Sequence, residues 1–183
     1  MAISHAILAA LLDTACSGYD LSKQFAGTVG FFWHATQQQI YRELSKLEEE
    51  GHIVAEVIRQ EGRPDKKVFS VTEAGKEYLR KWILEPSEVS PIKDELLVKI
   101  FAGEVAPKQK IIKELENHRA QHQDKLKAYR AIEEKHFANP QTLPLAEKYR
   151  YLTLQQGIRY EIEWLKWCED TIKFLHEDSS NLI

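Results

Sequence analysis

The chain of 183 residues has only two cysteines, Cys16 and Cys168. They lie far apart and form neither a metal-type nor a redox pair, so two idle thiols in a reducing compartment are expected. There is no run of about 18 apolar residues of the kind that crosses a bilayer. The opening Met1-Ala-Ile-Ser-His5 lacks the basic and apolar regions of a signal peptide, which points to a cytoplasmic chain. Also missing are a glycine-rich phosphate loop, a Gly-x-Ser-x-Gly elbow and a His-Glu-x-x-His pair. Neither an enzyme nor a cofactor is therefore expected. Excess charge is lacking too: the net value is −3, which argues against indiscriminate attraction to polyanions. A local basic footprint stays open, because screening over roughly 8–10 Å lets nearby charge dominate. At this length the chain is one domain or two small ones.

What is present is organised around residues 36–51. Thr36 is a helix cap, and Gln39 three residues on is its reciprocal capping-box partner. Ile40, Leu44 and Leu47 recur at spacings of four and three and share a buried face. Gly51 suits the left-handed conformation that ends a helix. On the opposite face, Gln37, Gln38, Tyr41, Arg42 and Ser45 point outward, with Lys46 beside them. Side-chain amides pair bidentately with adenine in the major groove, and arginine does so with guanine. A helix N-terminus also favours phosphate, which adds Thr36 and Gln39 to the candidates. Glu48, Glu49 and Glu50 lie at the far end, away from a polyanion. Taken alone, the stretch also reads as an ordinary amphipathic helix with solvated glutamines.

Its neighbours decide between these readings. Ile3, Ile7, Leu8, Leu11 and Leu12 form a helical stripe narrowed by Ala6, Ala9 and Ala10. Residues 14–18 read as a loop. A second helix starts at Tyr19, with Leu21 and Phe25 as core. Gly27 and Gly30 mark the next turn, and Phe31, Phe32 and Trp33 anchor the connection to a core, with a ligand role as the alternative for Trp33. Helix, helix, connection, helix is the layout of a helix-turn-helix unit, with residues 36–51 in the recognition position. Beyond Gly51 the period becomes alternating. Ile53, Val54, Val57 and Ile58 form one strand and residues 68–71 another, joined by a Gly/Pro/Asp loop over 60–67. Arg59, Arg63, Lys66 and Lys67 make the hairpin basic, against Glu61 and Asp65. A basic hairpin after a recognition helix is a wing, suited to gripping phosphates. Thr72 caps a further helix with Tyr78, Leu79, Trp82 and Ile83 inside. Pro86 and Pro91 bracket a polar linker at 85–90, where a domain boundary is expected.

The second half is helical. Residues 91–101 form a short helix with Leu96, Leu97, Ile100 and Phe101 as its core face, ended by Gly103, and Pro107 opens the next. A long helix to about Phe137 carries Ile111, Leu115, His118, His122, Leu126 and Tyr129 near one stripe. Asn139-Pro140 breaks it. Another runs from about Leu145 to His176, with Leu145, Tyr149, Leu152, Gln156, Ile162, Leu165, Ile172 and Leu175 near one seam. The apolar surface exceeds what one hairpin covers, and a second copy is the economical cover. His118 and His122 have the spacing of a helical metal pair, but no third ligand completes a motif. Tyr151, Trp164 and Trp167, with Trp33, are a candidate wall for a small aromatic effector; packing is the alternative.

The fragments Gly18-Tyr-Asp-Leu21, Gln38-Gln-Ile-Tyr-Arg-Glu-Leu44, Leu47-Glu-Glu-Glu-Gly51, the basic loop and Ser70-Val-Thr-Glu-Ala-Gly75 occur in the order seen in PadR-family transcriptional regulators. Residues 30–44 and 61–69 resemble its AphA-like virulence-activator branch in particular. The resemblance spans the first half closely and the second by layout. It implies a mainly α fold with a small β-hairpin: a winged helix-turn-helix DNA-binding domain over 1–85 and an antiparallel long-helix dimerisation domain over 91–183. It implies a homodimer on a pseudo-palindromic operator. By position, Gln37, Gln38, Tyr41, Arg42 and Lys46 would face double-stranded DNA, and Arg63, Lys66 and Lys67 would serve the wing. The family includes repressors, some released by small molecules, and activators. The alternative is a protein-interaction scaffold that uses the same parts without DNA.

Overall fold

The computed structural model describes residues 2–26, 29, 33–59, 62, 65–89 and 91–177. Contacts divide the chain into two units, Met1–Val89 and Ser90–Ile183.

The first unit is built from helices α1 (Ala2–Leu11), α2 (Gly18–Ala26), α3 (Gln37–Glu49) and α4 (Glu73–Leu84), with strands β1 (Cys16–Ser17), β2 (Ile53–Ile58) and β3 (Lys66–Val71). The strands form an antiparallel sheet in the order β1-β3-β2, with Cys16 opposite Phe69, Ile53 opposite Val71 and Ile58 opposite Lys66. The core gathers Ile7, Leu8 and Leu11 of α1, Leu21 and Phe25 of α2, Ile40, Leu44 and Leu47 of α3, and Ile53, Phe69 and Leu79.

Three expectations need correction here. Leu12 lies past the end of α1 and is half exposed. Residues 14–18 are not simply a loop: Cys16 and Ser17 pair with β3, and Gly18 already belongs to α2. Ser17 starts that helix, since its hydroxyl donates to the Asp20 carboxylate at 2.7 Å and accepts the Asp20 N–H at 3.2 Å. Trp82 and Ile83 are exposed, because α4 outruns the core by a turn; Trp82 instead stacks on His5 at 4.3 Å. Gly27, Gly30, Phe31, Phe32, Glu61 and Arg63 lie outside the described residues.

The second unit comprises α5 (Glu95–Phe101), α6 (Lys108–His136) and α7 (Leu145–Glu177), with short 3-10 turns at Gly103–Val105 and Pro140–Thr142. Helix α5 starts later than expected, because the Asp94 carboxylate accepts the N–H groups of Leu96 and Leu97. It ends before Gly103, which opens the first 3-10 turn. Of its expected core face only Leu96 is fully buried, and Phe101 is exposed. In α6 the buried positions are Ile112, Leu115, His122 and Tyr129. In α7 they are Leu154, Ile158, Glu161, Leu165 and Cys168, at alternating spacings of four and three. The expected seam of α7 holds only in part: Leu165 is buried and Ile172 and Leu175 pack on the core, whereas Leu145, Tyr149, Leu152 and Ile162 are exposed. Apolar residues occupy several faces of this helix, and packing against α6 selects among them. Tyr129 lies over Gly157, where a Cβ would sit 3.1 Å from the ring, so the missing side chain lets the two helices approach closely.

Candidate nucleic-acid interface

Helix α3 has the expected ends. Thr36 N–H donates to Gln39 Oε1 at 2.9 Å, and Gln39 N–H donates to Thr36 Oγ1 at 3.2 Å, a complete capping box. Gly51 has φ of 73° and turns the chain into β2. Ile40, Leu44 and Leu47 hold the inner face. Glu43 joins them, its carboxylate accepting a hydrogen bond from the Ser4 hydroxyl of α1. Periodicity gave no sign of this buried carboxylate, whose partner lies far off in the chain.

Gln37, Gln38, Tyr41, Arg42, Ser45 and Lys46 are exposed along the outer face. Gln38, Gln39, Tyr41, Arg42 and Ser45 line one shallow depression. Gln39 is present there with its carbonyl oxygen already engaged by the cap, which leaves its amide N–H groups to donate. Tyr41 crosses the start of α2 at Gly18, where a Cβ would fall 2.6 Å from its ring.

The hairpin stands beside this face. Lys66 pairs with Asp20 at 2.8 Å, and Lys67 pairs with Glu48 at 2.7 Å while lying 5.3 Å from the Phe69 ring centroid. The hydrogen bond from Lys66, reinforced by Ser17, holds the Asp20 carboxyl below its ordinary range. Lys46 lies 3.9 Å from both Glu43 and Glu50. The sequence showed a basic hairpin; the carboxylates opposite it came from two other helices.

The aromatic effector candidates are divided between the units, Trp33 in the first and Tyr151, Trp164 and Trp167 in the second. Trp33 packs on the core of the first unit. Tyr151 faces Phe137 at 5.7 Å. Trp164 stacks on His122 at 5.0 Å and meets Trp167 edge-on at 5.1 Å. Tyr151 and Trp164 share α7, and at about 1.5 Å per residue they stand roughly 20 Å apart along it. The His118 and His122 rings stand 6.4 Å apart, and His122 Nδ1 meets the Glu161 carboxylate. Among the described residues no three His, Cys, Asp or Glu side chains form a metal-holding group, and no helix is long and apolar enough to cross a membrane.

Cys16 and Cys168 are buried and unpaired, and burial pushes both thiols up from their ordinary pKa. A thiol-disulfide reagent is expected to leave both untouched in the folded protein and to titrate both after unfolding, because the thiolate is the reactive form. Rapid labelling of native protein would contradict that burial.

Two family models cover most of the chain. The PadR-like transcriptional regulator family matches residues 7–81, and the virulence activator alpha C-terminal model matches residues 92–176. A probable transcriptional regulator of Mycobacterium tuberculosis is 36% identical over 97% of this chain and 99% of its own length. Among solved structures, Bacillus subtilis PadR in complex with operator DNA superimposes with a TM-score of 0.82 at 27% identity, covering 96% of this chain and 99% of that one. PadR of the same organism in complex with p-coumaric acid gives 0.74 at 26% identity, over 96% and 99%. The Vibrio cholerae virulence activator AphA gives 0.76 at 28% identity, over 96% and 98%.

Proposed function

This chain belongs to the PadR-like family of transcriptional regulators, and from that footing we propose that it acts as a homodimer on a pseudo-palindromic operator. Residues 1–85 bind DNA and residues 91–183 dimerise. Helix α3 enters the major groove. Gln37, Gln38, Tyr41, Arg42 and Lys46 face the bases and backbone, with Thr36 and Gln39 at its phosphate-facing end. The hairpin carrying Arg63, Lys66 and Lys67 lies along the adjoining backbone. The protein works in the cytoplasm and catalyses no reaction. The observation that carries this reading is the exposed polar face of α3, capped at the end that approaches DNA and flanked by a basic hairpin. Dimerisation supplies the second recognition helix that a two-fold site needs, about 34 Å from the first.

The test is titration of fragments from upstream of the chain's own gene at several salt concentrations. Specific binding that weakens steeply as salt rises is expected, since phosphate contacts release counterions. No binding to any fragment at low salt would overturn the reading. Replacing Gln38 or Arg42 by Ala should cost about 1–3 kcal/mol and relax preference at one operator position. Equal loss on every sequence would make that residue a backbone contact.

The PadR complex with p-coumaric acid supports a small aromatic acid as effector here. Tryptophan fluorescence during titration with phenolic acids tests it, and an unchanged signal across a broad panel counts against it.

A further inference from the structure

Lys66 and Lys67 are neighbours on β3, so their side chains leave the sheet on opposite faces. Each ends on a carboxylate of a different helix. Lys66 reaches Asp20 in the first turn of α2, and Lys67 reaches Glu48 near the last turn of α3. Both pairs are close, and each is held by a second contact. Asp20 also accepts from the Ser17 hydroxyl, next to the point where Ser17 pairs with Val68 of β3. Lys67 also lies over the ring of Phe69, whose side chain is in the core. The loop-side end of the β2–β3 ladder, where Lys66 lies opposite Ile58 and Lys67 opposite Val57, is therefore tied on one side to the helix before α3 and on the other to α3 itself. The hairpin beyond it carries Arg59, Gly62 and Asp65 among its described residues, all exposed.

We propose that Lys67 and Glu48, with Lys66 and Asp20 on the other face, are positioning residues that set the angle of the wing against the recognition helix. This inference rests on the DNA-binding reading above and refines it. The two lysines act on DNA through the carboxylates they hold, and contact with phosphate is left to cations further out on the hairpin. A wing free to swing must be ordered when it docks, and that cost appears as lost affinity. A wing already fixed beside α3 does not incur it.

The two possible roles of Lys67 predict opposite behaviour for Glu48. If Lys67 gripped phosphate, Glu48 would compete for it, and removing the carboxylate would tighten binding. If Lys67 is a fastener, removing either partner loosens the wing alike. The experiment compares Lys67→Gln, Glu48→Gln, the double variant and the charge exchange Lys67→Glu with Glu48→Lys. Binding to operator and non-operator DNA is measured across a salt series, with thermal melting of each variant to verify folding. The expected result is a loss of about three- to tenfold for each single variant, the scale of a partly exposed ion pair together with its ordering. The double variant should be no weaker than either single one. The slope of log affinity against log salt should stay unchanged, and the charge exchange should recover part of the operator affinity.

A slope reduced by about one for Lys67→Gln, with tighter binding by Glu48→Gln, would overturn the inference and return Lys67 to the phosphate contacts. Unaltered affinity in both single variants would overturn it as well. If the wild type binds no fragment, the underlying DNA-binding reading fails, and that failure is visible before any variant is compared.

Discussion

Replacing Gly75 by Ala is expected to destabilise the first unit by about 3 kcal/mol, which lowers its melting temperature by roughly 12–24 °C at about 4–8 °C per kcal/mol. Helix propensity alone predicts the opposite, since Ala is favoured over Gly inside a helix by about 1 kcal/mol. The close approach of backbone reverses the sign. A Cβ at Gly75 would lie 2.0 Å from the His52 carbonyl oxygen and 2.9 Å from its carbon. That oxygen cannot simply retreat. It accepts the Thr72 N–H at 3.0 Å, and the Thr72 hydroxyl lies 3.0 Å from it and 2.7 Å from the Gly51 oxygen. The same hydroxyl accepts the Gly75 N–H at 3.0 Å. The contact thus joins the start of α4 to Gly51 and His52, just beyond the cap of α3, and an added methyl must pry them apart. Gly103→Ala is the control: its Cβ would meet only Ile111 side-chain atoms, at 3.8 and 4.0 Å. A Gly75→Ala protein that melts within a degree or two of wild type would refute this account of the joint. Because the joint fixes the exit from the recognition helix, the variant should also lose operator affinity under conditions where it remains folded.

The joint illustrates which features the sequence disclosed. The caps of α3 and α4 were readable at Thr36 and Thr72 because a cap is local chemistry, complete within four residues. Gly51 was readable for the same reason. Gly75 stands in a family-like fragment, but its need for a missing side chain depends on a carbonyl outside its own helix. Strand β1 is not legible in the sequence because two residues show no alternation; only pairing with Val68 and Phe69 makes them a strand. The basic hairpin was visible as composition, while Asp20 and Glu48 became its partners only once two helices were brought against it. In the second unit the number of helices is legible from proline and periodicity, and the buried face of the first half of α7 is not. Its surplus of apolar residues allows several seams, and the one adopted contains a carboxylate that no hydrophobic pattern would choose.

That carboxylate carries the other large expected effect. Glu161 is 2% exposed and meets His122 Nδ1 across the α6–α7 seam. The imidazole is stacked flat on Trp164, so it is held by packing as well as by the hydrogen bond. Replacing Glu161 by Ala leaves an unpartnered ring nitrogen at this buried position together with a void. The cost should be about 3–5 kcal/mol, as when one member of a buried pair is removed. Glu161→Gln keeps an acceptor in place and should lose less than half as much. The discriminating variant replaces both partners with Leu. If the loss in Glu161→Ala comes from stranding His122, the double replacement should lie near wild-type stability, because two apolar side chains remove the polar group as well as its partner. Denaturant unfolding read by tryptophan fluorescence follows the event, since Trp164 stacks on His122 and meets Trp167 edge-on. Operator binding supplies an independent readout: a hairpin loosened by Glu161→Ala should dimerise less and bind DNA more weakly at low protein concentration, with recovery as concentration rises. Equal stability of Glu161→Ala and wild type would show that the pair adds nothing to the seam, and a double Leu variant as unstable as Glu161→Ala would assign the cost to lost shape rather than to a stranded imidazole.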